Sequence, residues 1–140
     1  MDGAAEGVRE HLERIALFSR LDERALDAVA AIAVPFDCEA GHILVQPGMV
    51  GAGLFVIEEG TVRLSVHNHD IELGPGEIVG ELALLDDRAV RTTRARTSTA
   101  VRGYCITRDA FDDLLRDEPQ IAVPMLKVLA HRLIDTVARH

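Results

Sequence analysis

Tryptophan is absent from this 140-residue sequence, and aromatic residues make up only 4% of it. Because 48% of the residues are hydrophobic, we expect a core of Leu, Val, Ile and Ala, and the length suits one domain. No apolar run reaches the ~18 residues that indicate a membrane span. The first ten residues are polar and acidic, unlike a signal peptide. These absences predict a cytoplasmic protein with no membrane partner.

Cysteine is also scarce. The two cysteines, Cys38 and Cys105, are far apart in the sequence and lie in strand-like contexts. A disulfide framework needs more cysteines, and a metal site needs other ligands close by. We therefore expect two buried, reduced thiols and no metal site.

Positive charge is in deficit, with 15 Lys and Arg against 23 Asp and Glu and a net charge of −8. This sign opposes binding to a nucleic acid backbone, so no nucleic acid partner is expected. One cationic cluster stands against this background, and it could focus a single anionic phosphodiester despite the overall charge. The cluster consists of Arg88, Arg91, Arg94, Arg96 and Arg102.

The hydrophobic pattern divides a single domain, residues 1–140, into three regions: helices in 1–32, short strands in 33–106 and helices again in 107–140. Apolar residues recur at helical spacing over 6–17, and Asp22 is expected to cap a second helix. Many short β-rich segments separated by glycine and proline predict a small antiparallel barrel or jelly roll. The expected strands are 34–39, 43–46, 54–58, 62–66, 71–73, 77–79, 92–97 and 101–106.

The last helix is expected to begin near Pro119, a favoured first position, and to end near Ala138. Pro124 predicts a kink or a loose first turn. An apolar stripe, formed by Leu126, Leu129, Leu133 and Thr136, recurs at spacings of three and four residues. Packing within the molecule is the favoured interpretation of this stripe, and pairing with a second copy is the alternative.

The segment over residues 79–93 carries the parts of a site for a phosphorylated sugar. Gly80 and Glu81 precede an apolar run in which the free N–H groups of a helix start, around residues 82–84, would attract an anion. Ala83 leaves room for a phosphate, and Arg91 offers a fork of charged donors. Ionised Glu81 could accept a proton from a sugar hydroxyl. The alternative is an ordinary turn and core segment, with Arg91 in a surface ion pair beside the acidic residues 86–87.

Residues 80–85, followed by Arg91 and Thr92, resemble the phosphate-binding cassette of cyclic nucleotide-binding domains. This is the family of the bacterial catabolite activator protein and of the regulatory subunits of cyclic-nucleotide-dependent kinases. The resemblance continues over residues 15–18, 41–48, 54–62 and 129–133, which is nearly the whole chain. Met49 and Ala52 depart from it, because acidic residues usually stand there, and Val79 replaces an aromatic residue.

The resemblance implies a mainly β fold, an antiparallel β-roll with helices at both ends. It implies that Arg91 and the amides of Ala83 and Leu84 hold the phosphate, that Glu81 binds the ribose 2′-hydroxyl, and that the Thr92 hydroxyl reaches the phosphate. The cassette positions Gly80 and Leu82 complete that set. An apolar wall against ribose and base is implied for Val62, Leu64, Ile71 and Leu73, and contacts from the last helix are implied for Arg132 and Thr136.

Thr92 also bears on the choice of base. In eukaryotic members of the family, a threonine directly after the arginine favours cGMP, whereas the rule is weaker in bacterial members. The resemblance therefore favours cAMP and leaves cGMP open.

The predicted function is that of a regulatory sensor that signals by moving its last helix and is not an enzyme. No segment for a DNA-binding helix-turn-helix follows that helix, which could instead pair with a second copy or an unidentified effector protein. One alternative is the same fold without nucleotide binding, serving as a protein-interaction scaffold. A phosphoester hydrolase is the other, but no base or metal set supports it. The polar residues 67–70 are interpreted as a hairpin turn rather than a metal site.

Overall fold

The computed structural model describes residues 3–46, 53–66, 68–80 and 93–138. The chain forms two compact units, one from residues 1–31 and 112–140 and the other from residues 32–111. We call them the helical unit and the strand unit and describe each by itself.

The helical unit contains α1 (Gly3–Glu13), a 3-10 turn (Ala16–Phe18), α2 (Glu23–Ala31), the end of α3 (Arg108–Asp117), a second 3-10 turn (Pro119–Ile121) and α4 (Ala122–Ala138). Asp22 caps α2 as predicted, because its Oδ1 accepts a hydrogen bond of 2.8 Å from the N–H of Ala25. α1 packs on α2, and α4 packs on the first 3-10 turn. The buried residues are mostly aliphatic. Among the buried side chains of residues 7–31, that of Phe18 is aromatic and the others are aliphatic.

The strand unit contains two antiparallel four-stranded sheets. Sheet I has the order β1-β8-β3-β6, and sheet II has the order β2-β7-β4-β5. This arrangement confirms the predicted antiparallel roll, and the predicted strand ends differ from the observed ones by at most two residues. The strands are β1 (Val34–Cys38), β2 (Ile43–Val45), β3 (Gly53–Glu59), β4 (Val62–Val66), β5 (His69–Leu73), β6 (Ile78–Val79), β7 (Thr93–Thr97) and β8 (Val101–Thr107).

An aliphatic core fills the strand unit, as the low aromatic content predicts. Phe36 and Phe55 pack edge to face beside it, with 5.5 Å between their ring centroids. Thr97 is buried and polar, but its hydroxyl is satisfied, since it accepts from the N–H of His42 and donates to the carbonyl of Glu39, each at 2.8 Å. The core residues are Leu44, Val45, Ile57, Val62, Val79, Ala95 and Val101.

The polar segment at 67–70 joins β4 to β5. Val66 pairs with His69, so the connection has two residues, and Asn68 has a φ of 67°, which asparagine tolerates in tight turns. His69 and Asp70 belong to β5, whereas His67 lies outside the described residues. In the described part of the chain, no three His, Cys, Asp or Glu side chains are grouped so that they could hold a metal ion.

The prediction that the apolar stripe of α4 packs within the molecule is wrong. Leu126 and Leu133 are exposed and Leu129 is half-buried, while Thr136 is exposed as well. α4 has a second apolar face, which includes Met125 and Val128, and this is the face that is buried. Sequence periodicity identified a real apolar face, but the helix carries two of them.

Pro124 lies at the third position of α4. A helix does not use the N–H groups of its first turn, so proline costs little there. The turn before it, Pro119–Ile121, is a 3-10 turn with Pro119 at its start. An irregular turn was expected near Pro124, and the structure has it at Pro119–Ile121, just before α4.

Both cysteines are free and half-buried, as predicted in outline. Burial raises the pKa of the Cys105 thiol. Burial and the nearby Asp37 raise the pKa of the Cys38 thiol. Both thiols therefore stay protonated at neutral pH, which makes them poor nucleophiles and poor metal ligands.

Candidate functional site

Four predicted site residues lie together on the inward face of sheet II. Val62 pairs with Leu73 and Leu64 pairs with Ile71, and directly opposed residues share a face of an antiparallel sheet. Val62 is fully buried, Leu64 and Leu73 are half-buried, and Ile71 is 53% exposed. The inward face is thus closed at the Val62 end and open at the Ile71 end. An apolar surface continuous with the core remains accessible there.

Gly80, the first residue of the predicted cassette, has a φ of 89°. A Cβ atom at this position would lie 2.5 Å from the carbonyl oxygen of Gly53, so only glycine fits. Val79, the preceding residue, pairs with Phe55 in sheet I. The sheet and the glycine together fix where the chain leaves β6.

The cassette segment connects the two sheets. It leaves β6 at the edge of sheet I after Gly80 and enters β7, an inner strand of sheet II, at Thr93. Thr93 pairs with Val66. Along the inward face, Thr97 lies at the closed end, Ala95 comes next, and Thr93 lies towards the open end. Chain connectivity therefore brings the end of the segment to the open apolar surface. The remaining cassette positions, Glu81, Leu82, Ala83, Leu84, Arg91 and Thr92, lie outside the described residues.

Arg132 and Thr136 lie on the exposed second half of α4, in the helical unit. The Thr136 hydroxyl donates a hydrogen bond of 2.8 Å to the carbonyl of Arg132, one turn earlier in the helix. Its oxygen lone pairs can still accept a bond from a ligand. The roles of both residues stay predictions.

The expected cationic cluster does not form among its described members. Arg94 and Arg96 alternate in β7 with the buried Ala95 and Thr97, so their side chains face outward. Arg96 donates from Nε to the carbonyl of Gly41 at 3.1 Å. Arg102, on sheet I, forms an ion pair of 2.7 Å with Glu59. Arg88 and Arg91 lie outside the described residues.

The fold requires glycine at position 53, and this requirement was not predicted from the sequence. A Cβ atom at Gly53 would lie 2.0 Å from the carbonyl oxygen of Ile106 in β8, and Gly53 is also the residue that Gly80 approaches. Glycine inside a strand pattern often marks such a close backbone approach. Its position directly before the apolar β3 run was the available signal.

Three side chains of β8, those of Arg102, Tyr104 and Cys105, have raised pKa values. Burial raises the pKa of the Tyr104 phenol first, and the nearby Glu58 raises it further. Tyr104 and Cys105 pair with residues of β1 and β3 in sheet I, away from the open face of sheet II. Their protonated forms therefore supply no activated nucleophile at the candidate site.

The roll, its close glycine contact and the open inward face define a β-roll ligand-binding domain. A sequence model of the family described as "cyclic nucleotide-binding domain" matches residues 35–118. The chain therefore belongs to the cyclic nucleotide-binding domain family. This confirms the resemblance stated from the cassette and the roll segments. Cyclic nucleotide-binding domains of this family are regulatory domains and are not catalytic.

Relatives and solved structures agree with that assignment. A CRP-like cAMP-activated global transcriptional regulator of Mycobacterium tuberculosis is 32% identical over 130 residues, covering 89% of this chain and 58% of that protein. The N-terminal domain of a transcriptional regulator from Streptomyces coelicolor A3(2) has a TM-score of 0.75 at 28% identity, covering 93% of this chain and 94% of that one. The regulatory domain of Toxoplasma gondii PKA, solved with cAMP, has a TM-score of 0.72 at 28% identity, covering 84% and 46%.

The chain thus spans 58% of the length of the Mycobacterium regulator that it matches. It also matches the cyclic nucleotide-gated potassium channel of Rhizobium etli at 30% identity, covering 84% of this chain and 33% of the channel. Among the described residues, no helix combines the length and the apolar composition needed to cross a bilayer. The expected absence of nucleic acid and membrane partners stays a prediction.

Proposed function

We propose that this domain is a sensor for cAMP, which occupies the open inward face of sheet II. The single observation that carries the proposal is the exposure of Ile71 on a face whose other end is core. A nucleotide stacked against Leu64, Ile71 and Leu73 would remove that apolar surface from water, at about 25 cal/mol per Å². The relatives described as cAMP-activated or solved with cAMP support the choice of ligand.

The proposed roles of the cassette follow the chemistry of its side chains. The Arg91 guanidinium pairs with the phosphate oxygens, together with the amides of Ala83 and Leu84. Glu81, as an ionised acceptor, takes the proton of the ribose 2′-hydroxyl. Thr92 adds a hydroxyl next to the phosphate. The binding cassette, residues 79–93, thereby works within one domain over residues 1–140, and no metal or cofactor is needed.

Calorimetry with cAMP, cGMP and 5′-AMP tests this function. We expect saturable heat with cAMP, weaker binding of cGMP and no measurable binding of 5′-AMP, whose dianionic open phosphate does not match a site for a cyclic diester. Tighter binding of cGMP would reverse the assigned base preference and give Thr92 the deciding role. Silence with all three nucleotides would favour the second candidate, a protein-interaction scaffold on the same fold.

We further propose that α4 carries the signal. Its second half is exposed on all sides and presents Leu133, Ile134 and Val137 together with the ligand candidates Arg132 and Thr136. A helix can report occupancy only if cAMP binds its two positions with different affinity. Contacts from Arg132 and Thr136 to the nucleotide would supply that difference. A second copy of the chain or an effector protein would then cover the apolar side chains.

Deletion of residues 131–140 tests the role of α4 while retaining the buried Met125 and Val128. We expect weaker cAMP binding, because both helix contacts to the ligand are lost. The matched control is Leu133→Glu, which disrupts the apolar surface and keeps Arg132 and Thr136. Unchanged cAMP affinity after the deletion would contradict a role of α4 in binding. Sedimentation of the same two variants shows whether this surface pairs with a second copy.

A further inference from the structure

β5 carries half of the apolar wall and lies at the edge of sheet II. It is the last strand in the order of that sheet and pairs with β4. An edge strand opens more readily than an inner strand, because fewer backbone hydrogen bonds hold it. Ile71 and Leu73 lie on the inward face of β5, and Glu72 lies between them on the outward face. Contacts that hold β5 from the outward side therefore also set where Ile71 and Leu73 lie.

The Glu72 carboxylate binds two other elements on the outward face. Its Oε1 accepts a hydrogen bond from Nε of Arg63 in β4 at 3.1 Å. The Ser98 hydroxyl donates to the same carboxylate, lying 3.0 Å from Oε1 and 3.1 Å from Oε2. Ser98 directly follows β7, which lies on the far side of β4 from β5. Glu72 thus reaches across β4 and ties the edge strand to the end of an inner strand. We call Arg63, Glu72 and Ser98 the outer clamp.

The backbone fixes the anchor of the outer clamp at Ser98. The N–H of Ser98 donates to the carbonyl of Thr61 at 2.9 Å, and the N–H of Thr61 donates to Oγ1 of Thr99 at 3.0 Å. A Cβ atom at Gly60 would lie 2.1 Å from the carbonyl oxygen of Ala100, so the two turns pack backbone against backbone. Because this anchor is fixed, a single carboxylate can restrain a strand that lies two strands away.

Asp70 is the other outward carboxylate of β5, and its bond has a shorter reach. Its Oδ1 accepts from the hydroxyl of Ser65 at 2.6 Å, and Ser65 lies directly opposite Asp70 in β4. This bond strengthens the pairing of β4 with β5, whereas the bonds of Glu72 continue to the end of β7. Asp70 and Glu72 share a strand, a face and exposure to solvent. They therefore form a matched pair that differs in reach.

We propose that Glu72 is a positioning residue for the nucleotide site. The outer clamp holds β5 in the position where Ile71 and Leu73 present their side chains to the nucleotide. Glu72 acts through these two side chains, since it faces the opposite side of the sheet. The apparent affinity for a ligand falls in proportion to the fraction of molecules whose site is in place. This inference rests on the proposed function, because it concerns the cAMP site, whereas the hold on β5 exists without nucleotide.

Amide hydrogen exchange of the full chain without nucleotide tests the hold on β5. We expect Glu72→Thr to speed exchange at the β5 amides by about fivefold or more, because local opening sets this rate. Threonine favours strands, and it is too short to reach Ser98. The matched control is Asp70→Thr, the same substitution on the same face, which should speed exchange by less than about twofold. Equal exchange rates in these two variants would overturn the proposal.

Calorimetry with cAMP on the same variants tests the positioning role. We expect about fivefold weaker binding for Glu72→Thr and less than about twofold for Asp70→Thr, although both should unfold at similar urea concentrations. Glu72→Gln should bind within about twofold of the unchanged chain, because its amide oxygen still accepts from the Ser98 hydroxyl. A merely structural role predicts that affinity falls in step with stability in both threonine variants. Faster β5 exchange with unchanged cAMP affinity would overturn the positioning role, as would the lack of rescue by glutamine.

A double variant tests whether Glu72 acts through its anchor. If it does, Glu72→Thr/Ser98→Ala should bind cAMP as weakly as Glu72→Thr alone, since the second change removes a bond that is already lost. Additive losses from the two changes would overturn the role of the outer clamp. If the unchanged chain does not bind cAMP, the sensor function fails and the positioning role fails with it. The exchange rates measured without nucleotide then decide separately whether the outer clamp holds β5.

Discussion

The two faces of sheet II use the same strands for different purposes. On the outward face, polar side chains pair across strands, with Arg63 Nε 3.1 Å from Glu72 Oε1 and the Ser65 hydroxyl 2.6 Å from Asp70 Oδ1. On the inward face, the apolar wall runs from the fully buried Val62 to the half-exposed Ile71. Single exposed apolar residues are common in folded proteins. This one differs because it continues a core, at the place where the cassette segment enters the sheet.

The contrast teaches that charge alone does not locate the anion site. Arg94 and Arg96 lie close to Arg91 in the sequence, yet they face solvent on the outward side. The charges of the outward face are accounted for by pairing and solvation. Under the proposed function, the open end of the inward face is covered by the nucleotide.

Replacing Arg91 with alanine is the variant with the largest expected effect. If Arg91 holds the phosphate, the loss leaves a ligand charge without its partner, at a cost of about 2 to 5 kcal/mol. This corresponds to cAMP affinity reduced by roughly 30-fold to several thousand-fold. The matched control is Arg94→Ala, three positions later and outward-facing, which should change the affinity less than about twofold. Equal losses in the two variants, measured by calorimetry, would remove the distinction between the faces.

Replacing Gly80 with alanine should lower the free energy of unfolding by about 2 to 4 kcal/mol. The new Cβ would meet the Gly53 oxygen at 2.5 Å, and the positive φ adds strain. Gly76→Ala separates the two causes, because its φ is 87° but nothing lies within 4 Å, so we expect about 1 kcal/mol. Gly74→Ala, with neither problem, should be nearly neutral. Urea unfolding measures all three, and equal stability of the Gly80 and Gly74 variants would refute the close contact.

Replacing Ile71 with threonine should weaken cAMP binding by about 1 kcal/mol, or roughly fivefold, because apolar contact area is lost. Threonine keeps the β-branched shape, so the strand itself should be little affected. The matched control is Val34→Thr, an exposed apolar residue of β1 in sheet I. Both variants should unfold at similar urea concentrations. A weaker nucleotide affinity in the Val34 variant than in the Ile71 variant would place the ligand elsewhere.

The strands were predictable because each segment either alternates apolar and polar residues or is continuously apolar. Glycine and proline residues separate these segments from one another. Asp22 was predictable as a cap because its side chain suits the first turn of a helix. The outward orientation of Arg94 and Arg96 was also predictable from the sequence. Successive side chains of a strand point to opposite faces, and these two arginines alternate with Ala95 and Thr97. Grouping them with Arg91 by sequence distance ignored that alternation.

Other features depend on tertiary contacts that a single sequence does not specify. α4 carries two apolar faces, and only the packing decides that Met125 and Val128 are buried while Leu126 and Leu133 are exposed. The need for Gly53 arises from β8, more than fifty residues later in the chain.

The most direct measurement of the central claim is methyl NMR of the labelled full chain with and without cAMP. We predict large, saturable shifts and contacts to the ligand at the methyl groups of Leu64, Ile71 and Leu73, on the inward face. The exposed methyl groups of Val34 in sheet I should shift little. Saturable binding of cAMP with unshifted Ile71 and Leu64 methyl groups would contradict the account, because the ligand would then lie away from the open end of sheet II.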